Sequence, residues 1–316
     1  MCCLFGLLDY TGHFTGKQKN KIISILSTAC EERGTDATGI SYNHNEHLTI
    51  FKRPLAAHKM KFAIPNVTLI MGHTRMTTQG DEKRNYNNHP FYGKADNTEF
   101  TLAHNGVLHN DDALHKSEKL PETKIETDSY VAVQLIEKKR ELSFDSLKYM
   151  AEKLLGSFTI TVMDKEDNLY FVKGDNPMCI YHFPEIGVYI YASTEDILKK
   201  ALKKIPYRFG KGTKVEISCG DILKINRYGR ITKSKFDTEL LDTYNYYAYP
   251  SYRRYTFTFD AKPTTPRNNE YIQLLKNQQH ITATLRTSLI CSLKTVTRPM
   301  KLKICCIAVF SDVPIG

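Results

Sequence analysis

Short apolar runs separated by turn signals dominate the first 235 residues of the chain. Runs of this kind, rich in β-branched and aromatic residues and bounded by stretches such as "DYTG", "NHNE" and "NRYGR", predict β-strands. The predicted strands are Cys3–Leu8, Gly39–Tyr42, Leu48–Phe51, Val67–His73, Phe100–His104, Phe158–Asp164, Leu169–Val172, Val188–Tyr191, Lys214–Ile217 and Ile222–Asn226.

Four longer stretches predict helices, and the clearest helical period of apolar residues lies in the third. They are Lys17–Glu31, Asp128–Lys139, Ser143–Leu155 and Thr194–Lys203. Thr127 or Asp128 is the predicted N-cap of the second helix. Because helices and strands do not alternate one for one, a doubly wound parallel sheet is disfavoured, and the pattern predicts an α+β domain with antiparallel sheets.

The residue composition of the chain changes near residue 237, where the Tyr-rich, polar stretch "LDTYNYYAYPSYRRYTFTF" begins. We therefore predict a domain over residues 1–237 and a basic C-terminal extension over 238–316. The net charge is +10, and residues 261–310 hold eight Lys or Arg and one acid. The basic character belongs mainly to the extension, so we do not expect a nucleic-acid partner.

Composition excludes several other classes of protein. No apolar run approaches the roughly 18 residues that span a membrane. The first apolar run lacks a basic leader and is broken at Asp9, so it does not predict a signal peptide, and we expect a cytoplasmic protein. The eight cysteines show no paired zinc-ligand spacing. We predict free thiols, no metal site and no cofactor.

Several segments rich in glycine and small polar residues are candidates for binding chemistry: "RGTDATG", "GHTRMTTQG", "NNHP", "AHNGVLHN" and "ETDS". Arg75 offers a bidentate fork for a carboxylate, with threonine hydroxyls beside it. The Asn105 amide and the Gly106 backbone N–H are a donor pair suited to an oxyanion. Asp128 is suited to pair with an ammonium group. Together these groups predict a site for an α-amino acid.

The nucleophile of such a site is predicted at the start of the chain, because no GxSxG elbow or recognisable triad is present. Removal of Met1 would leave Cys2 with a free α-amine of pKa about 7.7–8.0, which can act as base for its own thiol. Strand alternation points the next thiol, Cys3, away from Cys2, so we predict a packing role for Cys3.

The six motifs, which include "MCCLFG", occur in the order and spacing of class II glutamine amidotransferase domains and resemble them over roughly residues 2–235. These domains are N-terminal-nucleophile hydrolases. "GHTRMTTQG" and "NNHP" are most similar to the "GHTRWATHG" and "NAHP" of the glucosamine-6-phosphate synthase type. The resemblance implies a four-layer αββα sandwich of two antiparallel sheets flanked by helices.

The resemblance also implies catalytic roles. Cys2 attacks the side-chain amide of L-glutamine and forms a γ-glutamyl thioester, which water then hydrolyses to glutamate. Asn105 and the Gly106 backbone form the oxyanion hole, and Arg33 orients the nucleophile end. The chain departs from the family at Cys3, where relatives usually have Gly.

Substrate contacts are implied in the same way. Arg75 and Thr78 would hold the α-carboxylate, together with Gln79, which replaces a His of the nearest group. Asp128 and the Gly106 carbonyl would hold the α-ammonium. The residues after 237 are too few for a known acceptor domain, so the expected partner is a separate ammonia-accepting synthetase or transferase subunit.

Two other functions fit the same residues. One is an N-terminal-cysteine hydrolase of another γ-glutamyl amide, and the other is a non-catalytic binding or interaction protein with a relic site. His73, His89 and His104 belong to three separate motifs, so we expect them to make structural hydrogen bonds and not to bind a metal.

Overall fold

A computed structural model of the chain describes residues 2–241, which form two antiparallel sheets with helices outside them. The strands are β1 Cys3–Asp9, β2 Ala37–His44, β3 His47–Arg53, β4 Leu69–Arg75, β5 Phe91–Lys94, β6 Glu99–Leu108, β7 Gly156–Asp164, β8 Leu169–Lys173, β9 Cys179–Phe183, β10 Val188–Ala192, β11 Thr213–Lys214, β12 Asp221–Ile225 and β13 Ile231–Lys235. The helices are α1 Gly16–Ala29, α2 Asp111–Ser117, α3 Tyr130–Lys138, α4 Phe144–Lys153 and α5 Glu195–Lys204.

The first sheet has the order β11-β9-β10-β1-β4-β2-β3, and the second has the order β13-β12-β8-β7-β6-β5. Every pair of neighbouring strands is antiparallel. The predicted α+β class with antiparallel sheets is therefore confirmed. Strand β1 lies inside the first sheet, where β4 and β10 pair with it on either side.

Three apolar clusters define four layers. One cluster joins α1 and α5 to the first sheet, and includes Ile22 and Leu198. A second fills the space between the two sheets. The third joins the second sheet to α3 and α4, and includes Leu135 and Leu147. The order helix, sheet, sheet, helix is the αββα sandwich implied by the family resemblance.

Alternation along β1 divides its side chains between two of these clusters. Cys3, Phe5 and Leu7 pack toward the helices, whereas Leu4 and Leu8 pack between the sheets. Cys3 is fully buried, as its predicted packing role requires. The same alternation places Cys2 on the side of the gap between the sheets.

Some predicted elements differ from the structure. In the predicted strand Lys214–Ile217, only Lys214 is in a strand; β11 pairs with β9 at Thr213 and Lys214, and the chain then leaves the sheet. The pattern also missed β5, β9, β13 and α2. Strand β13 illustrates the reason, because its sequence "ITKSK" is largely exposed and carries no apolar alternation.

The predicted N-cap of the helix after "ETD" is wrong. Helix α3 begins later, with Ser129 as its N-cap and without a side-chain capping bond. The Asp128 carboxylate instead accepts a hydrogen bond from the backbone of β6, at Leu108. A carboxylate that is used elsewhere cannot cap the helix.

The boundary between the domain and its extension stays a prediction. Leu241 packs against the cluster under α3 and α4, while residues 242–316, most of the predicted extension, lie outside the described residues. Among the helices of residues 2–241, none is long and apolar enough to cross a membrane.

One carboxylate of the helical layer makes stability depend on pH. Glu118, whose side chain is 11% exposed, accepts bonds from Lys138 Nζ at 2.5 Å, Lys153 Nζ at 2.7 Å and Tyr149 Oη at 2.5 Å. Burial alone raises the pKa of this carboxyl, but the three donors outweigh it and lower the pKa from 4.5 to about 2. A lowered pKa in the folded state stabilises the fold above the unfolded pKa.

We therefore expect Glu118 to stabilise the domain near neutral pH and to lose this contribution as the pH falls from about 4.5 toward 2. The free energies of unfolding of the wild type and Glu118→Gln, measured in urea, should differ at pH 7 and converge in acid. A difference that is the same at pH 7 and pH 3 would contradict this assignment.

Candidate active site

Three strands deliver candidate residues to one edge of the gap between the sheets. On β4, Leu69 and Met71 lie in the inter-sheet cluster, so the period of two places Arg75 on the same face. On β6, Ala103 lies in that cluster, which places Asn105 there as well. Cys2 reaches the same gap from β1, so the strand pattern alone brings these three side chains together.

The Cys2 thiol is buried at the end of β1, with 9% of the residue exposed. Its sulfur lies 3.5 Å from the Met76 carbonyl and accepts from the Met76 backbone N–H at 3.4 Å. Burial raises the pKa of this thiol, although the Met76 backbone bond and the Arg75 charge oppose the rise. The neutral thiol form is therefore favoured, and the group needs a base before it can attack.

Arg33 fixes the backbone of Cys2. A short 3-10 turn, Cys30–Glu32, follows α1 and ends at Arg33, whose N–H donates to the Cys30 carbonyl. The Arg33 Nε then donates to the Cys2 carbonyl at 2.7 Å. The structure thus places Arg33 against Cys2.

Arg75 is 3% exposed and organises the loop that follows β4. Its Nη1 donates to Asn88 Oδ1 at 2.8 Å, and its Nη2 donates to the carbonyls of Gln79 at 2.5 Å and Gly80 at 3.2 Å. Burial lowers the pKa of the guanidinium, which still remains charged at neutral pH. A carboxylate in the gap would meet a cation whose position is already fixed.

Asn105 and Gly106 end the inward-facing part of β6. The Asn105 Nδ2 donates to Ser193 Oγ at 3.3 Å. Gly106 has a φ of +148°, and a Cβ at this position would lie 1.7 Å from the Ser157 carbonyl oxygen on β7. Only glycine fits this backbone.

Asp128 lies beside the same edge, in the turn before α3, and is 3% exposed. Its Oδ2 accepts from the Leu108 N–H at 2.6 Å, and its Oδ1 accepts from Ser129 Oγ at 3.2 Å. The Asp128 charge acts on both Cys2 and Arg75. A negative group is thereby held close to the Cys2 thiol and to the Arg75 guanidinium.

Thr78 and Gln79 are the predicted site residues that the structure does not bring into the gap. Both are exposed, on the loop after Arg75. The Gln79 amide donates to Asp111 Oδ2 at 3.3 Å, at the start of α2. The Gln79 carbonyl, and not its side chain, contacts Arg75. In this arrangement the two side chains lie at the mouth of the site.

The three histidines pack behind the site. His73 Nε2 is bonded to the His104 carbonyl at 3.0 Å, and His104 Nδ1 to Ser129 Oγ at 2.8 Å. The His89 ring lies against the His73 ring, with the ring centres 4.2 Å apart and the planes tilted by 38°. The His89 ring nitrogens have no hydrogen-bond partner among the described residues. Burial lowers the pKa of His73 to about 3, so this imidazole is neutral.

Three residues of the site were missed by the sequence reasoning. Asn88 holds Arg75, and Asp36 accepts from the Thr77 N–H at 2.7 Å beside the Met76 backbone. Both lie in quoted motifs, so a search of those motifs for partners of Arg75 would have found them. Ser193 lies far along the chain at the end of β10, and no local signal marks it.

Comparison with known proteins gives the class of this domain. Residues 73–200 match the family model described as a glutamine amidotransferase domain. A glutamine–fructose-6-phosphate aminotransferase (isomerizing) of Oceanobacillus iheyensis is 33% identical over 188 residues, which cover 55% of this chain and 30% of that protein. The corresponding enzyme of Halalkalibacterium halodurans is 29% identical over 184 residues.

Solved structures agree on the fold. A glutamine phosphoribosylpyrophosphate amidotransferase of B. subtilis matches with a TM-score of 0.58 and 21% identity over 75% of this chain and 50% of that one. An allosteric regulatory enzyme of purine biosynthesis matches with a TM-score of 0.60 and 21% identity, over 76% of this chain and 50% of that one. At this level of identity, the match shows the fold.

The chain therefore carries a class II glutamine amidotransferase domain with the N-terminal-nucleophile fold. It spans only 30% of the length of the curated relatives named above.

Proposed function

We propose that this domain hydrolyses L-glutamine to glutamate and ammonia through a thioester on Cys2. The observation that carries the proposal is the meeting of four groups at one edge of the sandwich. These are the buried Cys2 thiol, the Asn105 amide, the Arg75 cation and the Asp128 carboxylate. A nucleophile, an oxyanion donor and two opposite charges match the reactive amide and the two charged ends of glutamine.

The first half of the reaction acylates the enzyme. Once Met1 is removed, the α-amine of Cys2 takes the proton from its own thiol, and the sulfur attacks the amide carbon of glutamine. The oxygen gains negative charge, which the Asn105 Nδ2 and the Gly106 N–H stabilise. The C–N bond then breaks, the α-ammonium returns its proton to the leaving nitrogen, and ammonia departs.

The second half releases glutamate. Water, deprotonated by the same α-amine, attacks the thioester carbon, and the oxyanion forms again in the same hole. The C–S bond breaks, glutamate leaves, and the thiol is restored. Arg33 serves both halves, because it fixes the carbonyl of the residue that carries the nucleophile and the base.

The charged ends of the substrate explain the rest of the site. Arg75, already fixed by Asn88, would receive the α-carboxylate, with Thr78 and Gln79 closing from the exposed loop. Asp128 and the Gly106 carbonyl would receive the α-ammonium. Ammonia would pass to a separate synthetase or transferase subunit.

Removing the Asp128 charge tests this substrate assignment. Asp128→Asn keeps an oxygen for the Leu108 N–H but loses the partner of the α-ammonium. We expect its kcat/KM for glutamine to fall by roughly 30-fold or more, because an unpaired charge is left in the complex. Glutaramate, which is glutamine without the α-amino group, should be hydrolysed equally by wild type and variant. Glutamate or glutarate release, measured with the full chain, gives both numbers.

Asp164→Asn is the matched control, since Asp164 is a buried carboxylate at the opposite end of the β6–β7 pair. This control should retain the preference for glutamine over glutaramate. An equal loss on both substrates in Asp128→Asn would overturn the ammonium contact. Faster release of glutamate from another γ-glutamyl amide than from glutamine would favour the broader γ-glutamyl hydrolase. If no amide of this kind released glutamate, a relic site would be favoured.

A further inference from the structure

Ser193 joins the nucleophile strand to the oxyanion residue. It follows β10 directly and is fully buried. Its Oγ accepts from the Leu4 N–H at 2.8 Å and from the Asn105 Nδ2 at 3.3 Å. Leu4 is in β1 of the first sheet, and Asn105 is in β6 of the second. A single hydroxyl therefore connects the two halves of the catalytic arrangement across the gap.

Helix capping does not occupy this hydroxyl, which also hydrogen-bonds the Cys3 side chain. Thr194, and not Ser193, caps helix α5, since the Thr194 side chain accepts from the Ile197 N–H. The preceding residue, Ala192, pairs with Phe5 of β1, which fixes the end of β10 beside the nucleophile strand. The Ser193 side chain is thus set by backbone pairing on one side and by a capped helix on the other.

The orientation of the Asn105 amide decides whether it helps or hinders the reaction. An Asn amide rotates about a broad, nearly two-fold torsion, and its two ends have opposite hydrogen-bonding character. With one N–H given to Ser193, the other N–H of the same nitrogen remains for the oxyanion. If the amide turned over, its oxygen would face the developing negative charge and repel it.

We propose that Ser193 is a positioning residue that holds the Asn105 amide with its nitrogen toward the oxyanion. The inference rests on the proposed function. Because the oxyanion forms only during the reaction, Ser193 affects the transition state and leaves the binding of the charged ends of glutamine to Arg75 and Asp128.

Ser193→Ala removes the hydroxyl that bonds the Asn105 amide nitrogen and holds it in place. We expect kcat for glutamine to fall roughly 10- to 100-fold, which is less than the full loss of an oxyanion donor, with KM little changed. Ser41→Ala is the matched control, because Ser41 Oγ is also fully buried and bonds across the sheets to Thr101 Oγ1 of β6 at 2.8 Å. That variant should lose comparable stability and keep kcat.

A double-mutant cycle separates orientation of Asn105 from a general structural effect. In an Asn105→Ala background, Ser193→Ala should cause no further fall in kcat, because the amide that it orients is gone. An equal fall in both backgrounds, an unchanged kcat in the single variant, or a rise in KM of the same size as the fall in kcat would each overturn the proposal.

The two proposals fail in different ways. The proposed function fails if the wild-type chain releases no glutamate, or if release persists in Cys2→Ala. In either case the assignment of Ser193 fails as well. Failure of the Ser193 assignment leaves Cys2-dependent turnover of the wild type intact and appears only in the Ser193→Ala comparison.

Discussion

Cys2→Ala should abolish glutamine hydrolysis, with kcat/KM falling by at least about 10⁴-fold, the scale expected when a covalent nucleophile is removed. The physical reason is that no other thiol faces the reactive edge within the described residues. Cys3 and Cys30 pack under α1 and Cys179 packs in the same cluster, while Cys219 is exposed. Glutamate release by the full chain, with and without the substitution, measures the effect.

Cys3→Ala is the matched control for this experiment. It removes a neighbouring thiol from the helix side of β1 and should retain most of the activity. In the wild type, a glutamine-like electrophile should alkylate Cys2 and leave Cys3 unmodified, and the intact mass should lack one Met residue. Turnover in Cys2→Ala at the wild-type rate, or full activity of a chain that retains Met1, would contradict the mechanism.

Gly106→Ala should damage both the fold and the site. The new methyl group would meet the Ser157 carbonyl at 1.7 Å, on the strand paired with β6, so the two strands must move apart. The backbone φ of +148° adds strain for any side chain. We expect a loss of at least about 2 kcal/mol in the free energy of unfolding, and a fall in kcat of more than about 10²-fold from the displaced donors.

Gly12→Ala separates the two causes. Gly12 also has a positive φ, +70°, but a Cβ there has no atom within 4 Å. This control should show only the backbone cost of about 1 kcal/mol and keep its activity. Urea unfolding and glutamate release are measured for both variants. If Gly106→Ala were as stable and as active as Gly12→Ala, β7 would accommodate the new methyl group without loss, and this prediction would be wrong.

The sequence was sufficient to predict where a side chain lies when the residue belongs to a short motif at the end of a predicted strand or helix. The alternation of β1 separates Cys2 from Cys3, and the motif residues Arg75, Asn105 and Asp128 lie at strand or helix ends that meet. The α+β class with antiparallel sheets followed from the lack of regular helix–strand alternation, and the four-layer sandwich from the family resemblance. For the site residues, the information lies within a few residues of the chain.

The other features of the site and fold depend on contacts between residues that are far apart along the chain. A single sequence does not show which distant residues meet. Ser193 is 88 residues from Asn105, and Asp128 is 20 residues from its partner Leu108. The side-chain positions of Thr78 and Gln79 depend on how a loop folds around Arg75. Exposed strand β13 is held by pairing with β12 and not by an apolar face of its own.

The two-sided pairing of β1 bears on how the site can change over time. Its neighbours β4 and β10 lead to Arg75 and Ser193, so backbone bonds align Cys2, Arg75 and Ser193 as one unit. The exposed side chains of the loop above this unit, Thr78 and Gln79, can change without disturbing these backbone bonds. Insertions within these three strands, by contrast, would shift the register and misplace all the partners at once. Tolerance to mutation should therefore be higher in the loop above the site than along β1, β4 and β10.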